Sequence, residues 1–309
     1  MQNQKRFIRT TTPRYNSAFW NYQRDRVYDT ADLNGVCAES AAGYFIPNEG
    51  EVVFRAAAEK TNIFRRIASV ISTESGNVRI KTMKPTGAAE FVGENLAYPK
   101  SENGYHSFAT NAHKIAKLSL VSNKCLNDAG FDIVTALLGD MGREFGKAEE
   151  DACINGDGTT RPFGLLHPSE GAEVGVTADG TLSFDDVKAL FFSLDAEHRR
   201  EAAWLMNDET AFYLRTLKDD VGNYLWRDAD DTILGHKVYT SPYMPQINSG
   251  NSPILFGDFS YYWFMERGGL ALQPLRELYA EFGATAFAGT AFVDGRLVRR
   301  EAVKALTTA

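Results

Sequence analysis

The chain has 309 residues, 44% of them hydrophobic, which is enough to bury a large core and too apolar for global disorder. Its formal net charge is −7, which argues against the whole molecule gripping nucleic acid, since neutralising phosphates takes a basic surface. The three cysteines, Cys37, Cys125 and Cys153, form no CxxC pair, which argues against a disulfide framework or a zinc site and fits thiols in a reducing cytoplasm.

Met1 to Pro13 is polar and basic and lacks the apolar stretch of a signal peptide. No apolar run approaches the ~20 residues that cross a bilayer, so synthesis in the cytosol is expected. Residues 1–42 carry little regular pattern. Met1 to Arg26 holds six basic residues, Lys5, Arg6, Arg9, Arg14, Arg24 and Arg26, against Asp25 alone, with Phe7, Tyr15, Phe19, Trp20 and Tyr22 interleaved. Such a segment cannot form a core of its own. It reads as a mobile terminus or as an arm docked on a neighbouring subunit, with direct nucleic-acid binding the lesser reading.

Gly43 and Pro47 punctuate a short extended piece. From Glu49 to about Lys60, Val53, Ala56, Ala57 and Lys60 fall at helical spacing. Ser75-Gly76-Asn77 then signals a turn, and Val78, Ile80 and Met83 alternate with charged residues. His113 to Val121 turns apolar again and reads as a returning strand. Between them lie Pro85, Gly87, Gly93, Pro99 and Gly104 among Lys84, Glu90, Glu94, Lys100 and Glu102. Two strands flanking so long a polar excursion are marginal alone in water and are expected to rest on another surface.

The strongest helical pattern runs from Phe131 to Ile154, with Asp132 as candidate N-cap and a stripe of Val134, Leu137, Leu138, Met141, Phe145, Ala148 and Ala152. Gly139, Gly142 and Gly146 each weaken it by about 1 kcal/mol relative to Ala, so tertiary packing must hold it. Gly156 and Gly158 end it. Beyond, Ser183-Phe184-Asp185-Asp186 begins a capped helix, Ala202 to Asn207 reads as a buried strand, and Asp208 to Leu217 as a helix capped by Asn207. A strand follows from Gly235, ending at Pro242, another from Ser252 with a turn at Gly257-Asp258 and more extended chain after it, and a final strand over Arg296 to Leu306. Strands and helices in this order, without regular βαβ alternation, give an α+β fold.

No motif supports catalysis, a cofactor or a metal. Gly156-x-Gly158 lacks a third glycine, having Arg161 in its place, and follows a helix rather than a strand, so it is no dinucleotide turn. As a calcium loop the same stretch fails at Cys153 and Pro162. The histidines, His106, His113, His167, His198 and His236, never reach metal-ligand spacing. Glu149, Glu150 and Asp151 on the long helix read as a solvated or ion-paired face.

The order of several stretches resembles the tailed-bacteriophage major capsid protein family with the Hong Kong 97 fold. They are AAGYFIPNE, FRRIASVISTESGNVRIKTM, AEFVGENLAYPKS, AKLSLVSNKCLND, REFGKAEEDACINGDGTTRPFGLL, WLMNDETAFYLRTLKDDVGNYLW, LGHKVYTSPYMP, ILFGDFSYYWFMERGGL and DGRLVRREAVKAL, spanning roughly 40–309. The resemblance implies a division into an N-terminal arm (1–42), a peripheral domain (43–69 and 116–174) with a spine helix (131–154), an extended loop (70–115), an axial domain (175–260), a peripheral return (261–295) and a C-terminal strand (296–309). It implies a non-enzymatic shell protein that assembles with itself into pentamers and hexamers of an icosahedral head enclosing double-stranded DNA. Its partners would be portal and scaffolding or prohead protease proteins, with the DNA held only weakly. The assembly would take place in the host cytoplasm. Arg14 and Trp20 in the arm, and Lys81, Lys84, Glu94 and Lys100 in the loop, are the expected assembly contacts.

Some members of that family carry a removable scaffolding segment, for which the roughly 40 residues before AAGYFIP leave little room. Some cross-link a loop Lys to a peripheral Asn. Ser252 to Ala309 holds no Asn, so no such bond is expected. An encapsulin-like compartment shell and, from another class, a soluble enzyme of unknown chemistry are the alternatives.

Overall fold

The computed structural model describes residues 12–33, 37–38, 43–73, 79–84, 91–92, 104–127, 133–179, 182–219, 221–226 and 231–309. In chain order they form helices α1 (Pro13–Gln23) and α2 (Thr30–Leu33), strands β1 (Cys37–Ala38) and β2 (Gly43–Phe45), and helices α3 (Asn48–Thr61) and α4 (Phe64–Ile67). Strands β3 (Ser69–Thr73), β4 (Arg79–Lys84), β5 (Gly104–Ala109) and β6 (His113–Ser122) follow, then helices α5 (Asn123–Asn127) and α6 (Ile133–Asn155). After β7 (Glu173–Ala178) come α7 (Phe184–Ser193), α8 (Ala196–Arg199), β8 (Ala203–Met206), α9 (Asp208–Thr216), β9 (Thr232–Ile233) and β10 (His236–Thr240). Strands β11 (Ile254–Gly257), β12 (Tyr262–Leu275), β13 (Ala284–Leu297) and β14 (Val303–Thr308) complete the described elements. The content is α+β, as expected.

The first sheet runs β1-β2-β12-β13-β6, with β3 also beside β12. Its spine is the antiparallel pair β12–β13, 14 residues each, whose register slips between Arg267 and Ala271. Gly268, at φ +70°, sits in the slip, a conformation that glycine adopts without strain. There β12 exchanges its parallel neighbour β3 for the antiparallel β2. Helices α3 and α6 cover one face of this sheet, and Phe54, Leu138, Met141, Phe145, Leu272 and Phe287 interdigitate in the core between them.

Two predicted stripes are corrected. Helix α3 buries Gly50, Phe54 and Ala58, not Val53, Ala56, Ala57 and Lys60. Three consecutive alanines define no face, and the small residues Gly50 and Ala58 mark the one that approaches α6. On α6 the stripe holds through Leu137, Leu138, Met141, Phe145 and Ala152, but Ala148 is exposed and Glu149 takes the buried place beside it. The candidate cap Asp132 lies outside the described residues.

No periodicity announced α1. Thr12 caps it by accepting from the Tyr15 N–H, with Pro13 in its first turn. Tyr15, Ala18 and Phe19 are buried in the core of the first sheet, and the Tyr15 hydroxyl donates to the Phe45 carbonyl at 2.5 Å. The aromatic half of the expected arm therefore packs against its own chain, because the aromatic positions 15 and 19 align one helical turn apart. Residues 1–11 lie outside the described ones.

The second sheet runs β7-β14-β11-β8-β10-β9. Helix α7 starts at a capping box of Ser183 and Asp186, and Asn207 caps α9 by accepting from the Glu209 N–H, both as the sequence indicated. Trp204 stacks on Phe256 at 4.1 Å in the core of this unit. The final strand expected over 296–306 is divided. Arg296 and Leu297 end β13, and β14 enters the second sheet between β7 and β11. A third core joins the two sheets, built from Tyr262, Phe264 and Val293 on one side and Leu205, Leu255 and Val303 on the other.

Strands β4 and β5 form a separate two-stranded sheet, pairing Arg79 with Ala109 through to Lys84 with Gly104. The hairpin therefore closes on 104–109, a strand the sequence reading missed. The expected returning strand, 113–122, belongs to the first sheet as the partner of β13.

Candidate functional site

The chemistry of the interior is structural. Arg65, with a side chain only 4% exposed, donates two bonds of 2.8 Å to the Glu149 carboxylate and reaches Glu266 at 2.6 Å. Arg55 meets the other oxygen of Glu266 and pairs with Glu51. Burial alone would lower the Arg65 guanidinium, but the Glu149 and Glu266 carboxylates outweigh it and hold it charged above its ordinary value. Burial pushes the Glu149 carboxyl up, and Arg65 pulls it back.

Glu150 is also buried. It accepts from the Ile63 N–H at 2.9 Å and from the Ser241 hydroxyl at 2.6 Å, so it ties α6 to the end of β10. Burial raises its carboxyl above the usual range against those hydrogen bonds. Asp151 pairs with Arg161 at 2.7 Å. Of the three acids, two are thus interior, because the apolar stripe of α6 continues straight into them.

Cys153 is fully buried, and burial pushes its thiol well above the ordinary range, which makes it a poor nucleophile. Among the described residues no group of three His, Cys, Asp or Glu side chains could hold a metal ion. No helix among them is long and apolar enough to cross a membrane.

The surface carries the more distinctive features. Strand β6 is the edge of the first sheet and alternates in exposure along its whole length. Its inward face, beside α6, presents Ile115, Lys117, Ser119 and Val121, and Lys117 is held there by Asp140 at 2.5 Å. Its outward face presents Lys114, Ala116, Leu118 and Leu120, with Leu118 47% and Leu120 56% exposed. The outward side of this edge strand thus carries two exposed leucines while a lysine and a serine face inward. Phe212, Val221 and Tyr224 are exposed on and after α9, and Leu278 and Phe282 at the turn joining β12 to β13. Parity along 114–121 was the available sequence signal for Leu118 and Leu120.

The residues expected as assembly contacts fall on two separate elements. Arg14 is exposed on the first turn of α1, and Trp20, half-buried on the same helix, meets Phe19 edge-on at 4.9 Å. Lys81 is exposed on β4, opposite Ser107. Lys84 ends that strand, paired with Gly104. Glu94 and Lys100 lie outside the described residues.

Comparison with known proteins gives a consistent result. The model of the phage capsid family matches residues 42–308. The major capsid protein of Klebsiella oxytoca phage phiKO2 is 22% identical over 254 residues, covering 78% of this chain and 59% of the relative, so the chain spans about three fifths of that relative's length. Among solved structures, the capsid of the native GTA particle is 27% identical, covers 82% of this chain and 91% of that one, and superposes with a TM-score of 0.68. The capsid of the empty GTA particle gives 28%, 81%, 90% and 0.69 in the same order. A structure from Microbacterium phage Oxtober96, at 18% identity, 81% and 91% coverage and a TM-score of 0.60, shares the fold.

Proposed function

The chain belongs to the phage capsid family and has the Hong Kong 97-type fold, and from that premise we propose that it is the major capsid protein of a phage head, with a structural and non-enzymatic role. Its copies would associate as pentamers and hexamers into an icosahedral shell around double-stranded DNA, within the host cytoplasm. Portal and scaffolding or prohead protease proteins would be further partners, and the net charge of −7 supports weak contact with the DNA. Lys81 and Lys84 of the loop, and Arg14 and Trp20 of α1, are proposed as contacts between copies, with Glu94 and Lys100 alongside them.

One observation supports the reading beyond family membership: the outward face of β6, the edge strand of its sheet, leaves Leu118 and Leu120 uncovered among the described residues, and a second copy would cover it. Many such contacts per subunit hold a shell even where each is weak. Electron microscopy of the purified chain tests this. Closed particles, or rings of five and six, are expected. A well-ordered monomer at high concentration would overturn it.

A further inference from the structure

The hairpin β4–β5 shares no strand pairing with either main sheet, so side chains set the direction in which it leaves the body. Phe108 of β5, opposite Ile80 of β4, reaches the cross-strand pair of Trp263 on β12 and Arg296 on β13. Its ring lies 6.5 Å from the Trp263 ring and 5.1 Å under the Arg296 guanidinium. The link that follows is tied to the same strand, because the Asn111 N–H donates to the Asp294 carboxylate at 2.8 Å.

Arg296 does more than meet Phe108. Its guanidinium also lies over the Phe163 ring at 4.9 Å, and its edge donates to the Glu170 carboxylate. A planar guanidinium does both at once, since its faces meet rings while its N–H groups point out from the edge. Phe163 is itself fixed. Its N–H donates to the Gly295 carbonyl at 3.0 Å, and its carbonyl accepts from the Tyr262 hydroxyl at 2.9 Å. Its ring rests against Gly158, where a Cβ would overlap it. Gly158 stands in the tight loop after α6, whose Asp157 carboxylate accepts from the N–H groups of Thr159, Thr160 and Arg161. Beside these contacts lies a cleft of about 340 Å³, lined by Thr82 and Ser107 of the hairpin and by Glu173 and Arg300 of the body, so the hairpin is not packed flat on this side.

We propose that Arg296 is the positioning residue of the hairpin: it seats Phe108 through its own contact with Phe163, and so sets the angle at which the hairpin meets a second copy. The loop after the long helix thereby governs an element remote from it in the chain. The meeting with a second copy rests on the proposed shell function, whereas the seating does not. Losing one cation–ring contact shifts the ratio of seated to loosened hairpins by about 2- to 30-fold. In a shell each contact recurs in every copy, so a loosened one weakens the whole.

Hydroxyl-radical labelling of the full chain, read by mass spectrometry, reports the exposure of each ring. Arg296→Lys keeps a charge for Glu170 but loses the flat face, and Phe163→Leu removes the second ring without touching the hairpin. Both should raise Phe108 labelling about twofold or more, while Phe192 and Phe212, exposed on α7 and α9, keep theirs. Phe163→Tyr restores the ring and should behave as the native chain. Electron microscopy should show closed particles lost in R296K and F163L and kept in F163Y. Native Phe108 labelling in R296K and F163L overturns the seating. Loosened hairpins with normal particles overturn the positioning role and leave the capsid reading intact. A native chain without particles sinks the capsid reading, and the labelling then decides the seating by itself. Should F163L fail to fold, R296K, at a partly exposed side chain, carries the same test.

Discussion

Gly146 of α6 and Thr61 of α3 touch so closely that no side chain fits between them. The Thr61 hydroxyl and the Ala58 carbonyl occupy the place where a Cβ on residue 146 would stand, and one turn earlier Gly142 meets the Phe54 carbonyl in the same way. The Thr61 hydroxyl also donates across to the Arg143 carbonyl at 3.3 Å. Glycines that weaken α6 as an isolated helix are what let it lie against α3 as a packed one.

Gly142→Ala and Gly146→Ala are therefore expected to destabilise the fold by about 1–3 kcal/mol each through overpacking. Gly139→Ala, where only the tip of Arg143 is near, should be neutral or stabilise by about 0.5–1 kcal/mol. Urea unfolding of the three variants distinguishes these signs. Equal effects at all three positions would contradict the close approach.

Arg65→Ala would leave Glu149 and Glu266 facing one another in the interior without the cation between them. Removing one partner of a buried ion pair costs about 3–5 kcal/mol, so this variant should lose most of the stability of the fold. Arg65→Lys keeps the charge but not the two parallel bonds to Glu149, and should fall between the two. Thermal denaturation followed by circular dichroism reads the order.

Glu150 makes stability depend on pH in a definite direction. Its folded carboxyl titrates above the ordinary range because of burial. Its contribution is therefore fully present below the ordinary glutamate value, about 4.3, and is lost as pH rises through the raised folded one. Glu150→Gln should remove this loss, so that the variant gains on the native chain as pH increases. Urea midpoints across the acid-to-neutral range check it, and a gain confined to acid would refute the assignment.

Leu118→Lys with Leu120→Lys changes two half-exposed side chains and should alter monomer stability by no more than about 0.5 kcal/mol each. Assembly should be abolished. Circular dichroism and sedimentation velocity separate the two effects, and normal particles from the double variant would show that this face is not an interface. Deleting Gly76 to Thr110 should likewise leave a folded, soluble chain that no longer closes shells.

What could be read in the sequence followed local chemistry. Ser183 and Asp186, Asn207, and the long apolar stripe of α6 each announce an element through neighbours within a turn or two. Most of the failures are long-range. Val53 and Ala56 looked as good a face as Phe54 and Ala58 until α6 chose between them. Glu149 and Glu150 looked like surface acids because their partners, Arg65 and Ser241, lie 84 and 91 residues away. Strand β13 was absorbed into an undivided return because alanine and glycine dominate it, and only its pairing with β12 and β6 makes it a strand. Helix α1 went unread although its Thr12 cap, Pro13 and the one-turn spacing of Tyr15 and Phe19 were all local signals. The outward leucines of β6 were legible from parity alone, whereas the hydrogen bond from Asn111 to Asp294 was not, because nothing local brings the two together.

The placing of β14 bears on the order of manufacture. Residues 303–308 fill the slot between β7 and β11, yet leave the ribosome long after both neighbours. Until they emerge, β7 has no partner in that sheet and β11 lacks one of its two. A polypeptide that has not yet presented residues 303–308 thus cannot complete the second sheet, whose interior they occupy.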